Sequence, residues 1–351
     1  MLLIQAVITF TLHKMKGVTN LRKLLFVYLI LIAVFVVYVY QYQTRDVSSN
    51  QWSENQLKGS MDETYVMVTF LSGIDYWKRP LKGFEDAAEA LNVSVEYRGA
   101  TQYDVNEEIM VLEQVIAQKP AGIAISAMDP EALNPAINKA VKQGIPIVTF
   151  DADAPKSQAY AFLGTNNLYA GEKAAHHMAE LIGEKGKVGI VTHPNQLNHQ
   201  ERTRGFQTTI STHYPEMEIV SVKDGRGDQM ISKEVTEDMI ATYPNIDGIF
   251  ATEANGGVGV GQAIKEVGKT ETTEIISFDT DKGTLDLVEE GVISATLAQG
   301  TWEMGYWSLQ FLFHLQHGLA AKEKDVQLPR YMDTGIHVVT KDDVSDYYPR
   351  D

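Results

Sequence analysis

The 351-residue sequence contains no cysteine. Disulfide bonds, thiolate metal sites, iron–sulfur clusters and cysteine nucleophiles are therefore excluded. A lipid-modified cysteine is excluded as a surface anchor for the same reason. Apolar residues make up 44% of the chain, which is enough for a sizeable core and, at this length, favours two lobes over one.

Basic residues are scarce, with 30 Lys and Arg against 46 Asp and Glu and a net charge of −16. Five of these bases and no acid lie in residues 1–45, so the remaining chain has 25 bases against all 46 acids. A body this acidic repels phosphate backbones. The charge distribution therefore argues against a nucleic-acid partner.

Catalytic and cofactor signatures are also missing. The chain has no Gly-x-Ser-x-Gly, His-Glu-x-x-His or phosphate-loop motif. Residues 256–261 carry the spacing Gly-x-Gly-x-Gly, which differs from that of a dinucleotide loop. The adjacent His176 and His177 point to different faces of a helix, and residues 151–153 lack the glycine and distal glutamate of a calcium loop. We therefore expect no cofactor and no metal ion.

An apolar run, Leu24–Tyr40, lies in a stretch without charge between Lys23 and Arg45. This stretch is long enough to cross a bilayer as a helix, and the bases before it orient the acidic body outside the cytoplasm. A cleaved export signal is the alternative, but no small-x-small pattern follows the run. The sequence predicts cytoplasmic residues 1–23, a transmembrane signal-anchor at 24–44 and a polar linker at 45–61.

From Thr64 onward, short apolar runs rich in β-branched residues alternate with amphipathic stretches, a pattern typical of parallel α/β units. The alternation runs from Tyr65 to Phe150. It restarts at Lys187 and runs to Phe278. It predicts an α/β protein with two doubly wound parallel-sheet lobes and a cleft between them. The predicted N-terminal lobe comprises residues 62–165 plus 300–325, and the C-terminal lobe comprises 166–299 plus 326–345.

Ligands of open α/β sheets bind beyond the carboxyl ends of the strands. In this sequence those positions hold acids, amides, one arginine and aromatic residues. The residues at these positions include Tyr76, Trp77, Ser126, Asp151, Arg202, Glu253, Asp279 and Gln299, alongside others such as His193, His199 and Asn255. Carboxylates accept hydrogen bonds from pairs of hydroxyls, arginine and amides donate to oxygens, and aromatic faces cover the C–H face of a sugar ring. The mixture predicts a neutral, polyhydroxylated ligand.

Each of these residues also has a purely structural interpretation. An acid or amide after a strand is often a helix N-cap, Tyr76 and Trp77 would serve equally as packing residues, and Arg202 as a surface helix residue. Helix capping does not require two aromatic residues and an arginine at the strand ends, so capping alone does not explain the complete set. The sequence therefore favours a binding cleft.

Several motifs occur in the order found in one known family. They are Tyr76-Trp77, Ile145–Asp151, Gly164–Asn167 with Ala170-Gly171, Glu201–Phe206, Gly248–Ala251, Ser277–Asp279 and Ala295–Gln299. With these motifs, the body from about Glu63 to His317 resembles the ribose-type periplasmic sugar-binding proteins, which share their core with LacI-type repressors. The DNA-binding helices of the repressors have no counterpart here, because the predicted membrane segment occupies their place.

The resemblance implies the type I periplasmic binding protein fold, in which two lobes joined by three crossovers close on one sugar. It implies that Tyr76 and Trp77 sandwich the sugar ring and that Asp151 binds a pair of hydroxyls. From the second lobe and the hinge it implies sugar contacts by Arg202, Asp279 and Gln299.

The sequence departs from the ribose binders at several of their contact positions. Ser126, Ala152 and Glu253 stand where those proteins often have Asn, Arg and Asn, and Gly227 lies near the position of a second-lobe aromatic. The departures preserve a binding cleft but argue against ribose itself as the ligand.

The expected function is extracytoplasmic binding of a monosaccharide in the interlobe cleft by a membrane-tethered, non-enzymatic protein that delivers the sugar to an ABC permease. The alternative is a sugar sensor that signals to a membrane histidine kinase or chemoreceptor. A remote alternative is a cell-surface carbohydrate-active enzyme using Asp151 and Asp279 as acid and base. It is disfavoured because these residues would lie on separate mobile lobes.

Overall fold

The computed structural model describes residues 29–38, 58–319 and 328–348, and the chain divides into two units, Met1–Lys58 and Gly59–Asp351. In the first unit, residues 29–38 form helix α1 with exposed apolar side chains. None of the helices in the described ranges combines the length and hydrophobicity needed to cross a membrane. The remainder of the predicted anchor at 24–44 and the predicted cytoplasmic residues 1–23 lie outside the described residues.

The first lobe is built on a six-stranded sheet in the order β11-β5-β4-β3-β1-β2. Its strands are β1 (Thr64–Thr69), β2 (Ser94–Gly99), β3 (Gly122–Ile125), β4 (Ile147–Phe150), β5 (Phe162–Gly164) and β11 (Tyr331–Asp333). All of its strand pairs are parallel.

The second lobe contains another six-stranded sheet in the order β12-β10-β9-β8-β6-β7. Its strands are β6 (Lys185–Thr192), β7 (Glu216–Asp224), β8 (Gly248–Ala251), β9 (Glu274–Phe278), β10 (Ala295–Gln299) and β12 (Ile336–Thr340). The strands pair in parallel, except that β12 runs antiparallel to β10. The two sheets confirm the predicted pair of doubly wound lobes.

Helices lie between most of the successive strands along the chain. In the body they are α2 (Lys78–Leu91), α3 (Val105–Gln118), α4 (Pro130–Lys142), α5 (Asn167–Ile182), α6 (Leu197–His213), α7 (Gln229–Thr242), α8 (Ala254–Glu266), α9 (Lys282–Glu289) and α10 (Thr301–Gln316). Successive strand residues point to opposite faces of a sheet. Tyr65 and Met67 of β1 therefore enter one apolar cluster and Val66 and Val68 another. Burial on both faces explains why inner strands such as β3 and β8 are continuous apolar runs.

Within the described body, the chain crosses between the lobes three times, at residues 165–166, 300 and 334–335. The third crossing corrects the predicted boundaries, because residues 326–345 were assigned entirely to the C-terminal lobe. The strand β11 pairs with β5 in the first sheet, and only β12 joins the second. A three-residue edge strand with two exposed side chains carries no hydrophobic pattern that would assign it to either lobe.

The body also begins earlier than the predicted linker at 45–61 allows. The Gly59 amide donates to Leu91 O over 2.8 Å, and Ser94 Oγ donates to Met61 O over 2.6 Å. Residues 59–61 are therefore attached to the first lobe, which corrects the end of the linker. Residues 45–57 lie outside the described residues.

In the second lobe, α5 and α6 pack closely through a reciprocal pair of glycines. A Cβ atom on Gly171 would lie 2.0 Å from Arg202 O, and one on Gly205 would lie 2.1 Å from Leu168 O. Since any side chain at these positions would collide with backbone, glycine sets the spacing of the two helices. In the first lobe, α2 and α10 approach each other in the same way. The contact in the second lobe fixes the position of Arg202.

Candidate functional site

A cavity of about 470 Å³ lies where residues after the strands of both lobes meet, a volume usual for small-molecule sites. Seven of the eight predicted site residues line it: Tyr76, Trp77, Asp151, Arg202, Glu253, Asp279 and Gln299. The eighth, Ser126, is not among the lining residues, and its Oγ donates to Asp151 Oδ2 over 3.0 Å. A depression of about 480 Å³ outside α6 and β7 is lined by no titratable side chain.

Asp151 and Asp279 occupy equivalent positions in the two lobes, directly after β4 and β9. Both have left-handed backbone conformations, with φ of 60° and 68°. Their amides donate to the neighbouring strands, Asp151 N to Leu163 O over 3.2 Å and Asp279 N to Leu297 O over 2.8 Å. Aspartate tolerates this conformation better than most residues, and such strain is concentrated at functional sites. Asp151 and Asp279 thus bring a buried carboxyl group to the cavity from either lobe.

Burial sets the protonation of the acids around the cavity. It raises the pKa of Asp279 to about 7, against the opposing effect of Arg202, and raises that of Glu253 to about 7 as well. Burial also raises the pKa of Asp151, although a hydrogen bond from Tyr76 opposes the shift. A ligand that donates hydrogen bonds to these carboxylates would stabilise their charged form.

Arg202 is only 1% exposed, so its interpretation as a surface residue is wrong. Its Nε donates to Asn167 Oδ1 over 2.9 Å, its Nη1 to Thr252 O over 2.9 Å and its Nη2 to Gln299 Oε1 over 3.0 Å. The guanidinium carbon lies 3.7 Å from the centroid of the Phe278 ring. Arg202 therefore connects α5 with the ends of β8, β9 and β10.

Gln299 links the acid of the second lobe to the first lobe. Its Nε2 donates to Asp279 Oδ1 over 2.6 Å and to Tyr76 OH over 3.3 Å, and its Oε1 also accepts from Thr165 Oγ1 over 2.8 Å. The Tyr76 hydroxyl in turn donates to Asp151 Oδ1 over 2.5 Å. Gln299 thus orients the groups around it in addition to lining the cavity.

The aromatic pair differs from the expected sandwich. The Tyr76 and Trp77 ring centroids are 4.9 Å apart at an interplanar angle of 78°, an edge contact that leaves no space for a sugar ring between them. Trp77 is 2% exposed, and its indole N–H donates to Phe70 O over 2.8 Å. The sandwich prediction is therefore wrong for this pair. Trp77 is a core residue that also forms part of the cavity wall.

Glu253 fits its structural interpretation. Its carboxylate accepts hydrogen bonds from the backbone amides of Asn255, over 2.9 Å, and Gly256, over 2.5 Å. It is therefore the N-cap of α8. The residue still lines the cavity, so its carboxyl group contributes to the environment of the ligand.

The cavity also contains residues that were not among the predicted contacts. Tyr103, in the connection between β2 and α3, and His193, after β6, both line it. Gln196 and His199 line the same end of the cavity. The signal available in the sequence was their position after strands. In the parts of the chain that the structure describes, no group of three His, Cys, Asp or Glu residues is placed to hold a metal ion.

Comparison with known proteins agrees with this architecture. A family model described as "Periplasmic binding protein domain" matches residues 65–320. The structure of the sugar-binding protein of a sugar ABC transporter from Bacillus halodurans is 61% identical, with a TM-score of 0.78, over 82% of this chain and 100% of that one. AraP, an arabinose binding protein from Geobacillus stearothermophilus, is 63% identical, with a TM-score of 0.75, over 82% of this chain and 99% of that one.

A more distant similarity is to a chain of the XylFII–LytSN complex. That chain is 27% identical, with a TM-score of 0.73, over 80% of this chain and 98% of that one. Because the matching family model spans well over half of the 351 residues, the chain belongs to the periplasmic binding protein family.

Proposed function

We propose that this protein binds a monosaccharide, an aldopentose of the arabinose type, in the cleft outside the cytoplasm and delivers it to an ABC permease. The observation that carries the proposal is the cavity of about 470 Å³, whose lining includes the buried Asp151 of the first lobe and the buried Asp279 and Arg202 of the second. The similarity to the arabinose binding protein AraP supports the choice of sugar. The similarity to a binding protein of a sugar ABC transporter supports the role in uptake.

The polar groups of the cavity match the hydrogen-bonding needs of a sugar. Asp151 and Asp279 accept hydrogen bonds from sugar hydroxyls on opposite sides of the cleft. Arg202 has five N–H donors, of which the three described above bind protein acceptors. Its remaining donors suit a sugar oxygen. Contacts from both lobes favour the closed arrangement, because only that arrangement makes all of them at once.

The proposed function is binding without chemical conversion. The two acids come from separate lobes, so their separation changes as the cleft opens and closes. A glycosidase, in contrast, holds its acid and base at a set distance. The measurement is the release of nitrophenol from aryl-glycosides incubated with the protein. Measurable turnover that disappears in Asp279→Asn would contradict the proposal.

The proposal includes a membrane tether formed by residues 24–44, which rests on the apolar run 24–40 and on the absence of charge as far as residue 44. A tether also suits a second candidate function, sugar sensing through a membrane kinase. The similarity to the XylFII–LytSN complex favours that candidate. Cells lacking the gene distinguish the two. Loss of labelled pentose uptake, with the permease expressed from an independent promoter, supports delivery, whereas intact uptake with loss of sugar-induced transcription supports sensing.

Sugar binding is tested on the full chain in detergent micelles. Thermal unfolding is followed with L-arabinose, D-ribose, D-xylose, D-galactose and the non-sugar glycerol as a control. A ligand that binds only the native form raises the melting temperature. We expect an increase with L-arabinose and none with glycerol. If none of the sugars raises the melting temperature or shows heat of binding, the proposal is wrong.

A further inference from the structure

Two side chains from opposite lobes meet in the lining of the cavity. The hydroxyl of Tyr103, in the first lobe, lies 2.8 Å from Nε2 of His193, in the second lobe. Their rings pack edge to face, with centroids 5.1 Å apart. The Tyr103 ring also packs edge to face on Phe70, at 5.8 Å. The contact therefore connects the Phe70–Tyr103 ring pair of the first lobe to the end of β6 in the second lobe.

The contact is buried on the His193 side, whereas Tyr103 is 39% exposed. His193 is 5% exposed, and burial lowers its pKa although Asp224 opposes the shift. Its Nδ1 lies 3.6 Å from Asp224 Oδ1, and the His199 ring lies 6.1 Å away. A neutral imidazole accepts a hydrogen bond at one ring nitrogen. Opening the cleft would separate this nitrogen from its partner on the other lobe.

We propose that Tyr103 and His193 form an interlobe closure contact that increases the affinity for a sugar by stabilising the closed arrangement of the lobes. The inference rests on the proposed function. A contact made only in the closed arrangement adds its free energy to that arrangement alone, and ligand affinity scales with the population of the binding-competent state. Tyr103 and His193 act through the position of the lobes, in contrast to Arg202 and Asp279.

A closure contact and a direct sugar contact predict different results. Losing the closure contact weakens the binding of all sugars by one common factor, because the equilibrium between open and closed lobes does not depend on the ligand. Losing a direct contact weakens binding by a factor that depends on which hydroxyls the sugar carries. L-Arabinose and D-galactose are suitable probes, because their ring hydroxyls match and they differ by one hydroxymethyl group.

The first variant is Tyr103→Phe, which removes one hydroxyl and keeps the ring. A net hydrogen bond of ordinary strength corresponds to about a two- to tenfold loss of affinity. We expect that loss for both sugars, measured by calorimetry on the full chain, with a faster dissociation rate in stopped-flow fluorescence. Tyr97→Phe is the matched control. The Tyr97 hydroxyl binds Thr69 Oγ1 at 2.8 Å and Ser72 O at 3.0 Å, both in the same lobe, so its removal should leave affinity unchanged.

The second variant is His193→Phe, combined with Tyr103→Phe in a double-mutant cycle. Either substitution breaks the same hydrogen bond. We therefore expect the sugar affinity of the double variant to be no lower than that of the single variant with the lower affinity. Additive losses, factors that differ between the two sugars, or unchanged affinity in Tyr103→Phe would overturn the closure contact and leave sugar binding intact. A wild-type chain that binds neither sugar would overturn the proposed function and this inference with it.

Discussion

Replacing Arg202 with alanine tests the central polar network of the second lobe. The substitution removes one hydrogen-bond donor from each of three protein acceptors, on Asn167, Thr252 and Gln299. It also removes the cation that opposes the raised pKa of Asp279. Because the guanidinium is 1% exposed, water cannot readily replace these interactions in the closed protein.

The expected loss of stability follows from the cost of removing one member of a buried charged network, which is about 3–5 kcal/mol. We therefore expect Arg202→Ala to lower the free energy of unfolding of the body by about that amount. Sugar affinity should also fall by at least about tenfold, the equivalent of one charge-assisted hydrogen bond.

The pH dependence of this loss has a definite sign. Burial raises the pKa of Asp279 to about 7, and removing Arg202 raises it further. Below both pKa values the carboxyl group is neutral in either protein. Above about pH 7 the wild-type carboxylate gains from the arginine and the variant does not. The difference in stability should therefore be greater at about pH 8 than at about pH 5.

The assay is urea unfolding of the full chain in detergent, followed by tryptophan fluorescence. Arg204→Ala is the matched control, because Arg204 lies on the same helix two residues further and is exposed, so its loss should change stability by less than about 0.5 kcal/mol. An Arg202→Ala variant within about 1 kcal/mol of wild type would refute the assignment of Arg202 as the buried connector of this lobe.

Two further predictions address the packing and the charge of the second lobe. Gly171→Ala would place Cβ 2.0 Å from Arg202 O and should lower the free energy of unfolding, measured in urea, by about 1–3 kcal/mol. The control is Gly73→Ala, because a Cβ atom on Gly73 would lie in open space. Equal losses of stability in the two variants would contradict the close contact between the helices. Burial raises the pKa of Asp279 from 3.8 to about 7, so its contribution to stability is lost as the pH rises through that range. Asp279→Asn should therefore reduce the decline in melting temperature between about pH 4 and about pH 7, and a decline as steep as that of wild type would show that Asp279 does not titrate there.

Much of the architecture was predictable from the sequence because local patterns determine it. Strands such as β3 and β8 are buried at every position. They are therefore apolar runs that can be recognised in the sequence. Polar residues that follow such runs lie at one edge of a sheet. That rule placed Asp151 and Asp279 among the candidates, and the family resemblance singled them out; the structure brings both to one cavity.

The roles of individual side chains at that edge required the tertiary structure. The sequence allowed Glu253 to be either a cap or a ligand contact, and the positions of two backbone amides favour the cap. The edge contact of Trp77 with its neighbour depends on packing against Phe70 and Phe150. Which lobe β11 belongs to depends on its pairing with β5, a strand far away in the chain.

The contacts between the lobes were decided only by folding. Tyr103 and His193 are separated by 90 residues and follow strands of different sheets, and Tyr76 and Gln299 are separated by 223 residues. Burial and alternation are properties of neighbouring residues, so the sequence determined the strands, the lobes and the polar edge. A hydrogen bond between distant residues depends on how the two lobes are oriented, which no local pattern encodes.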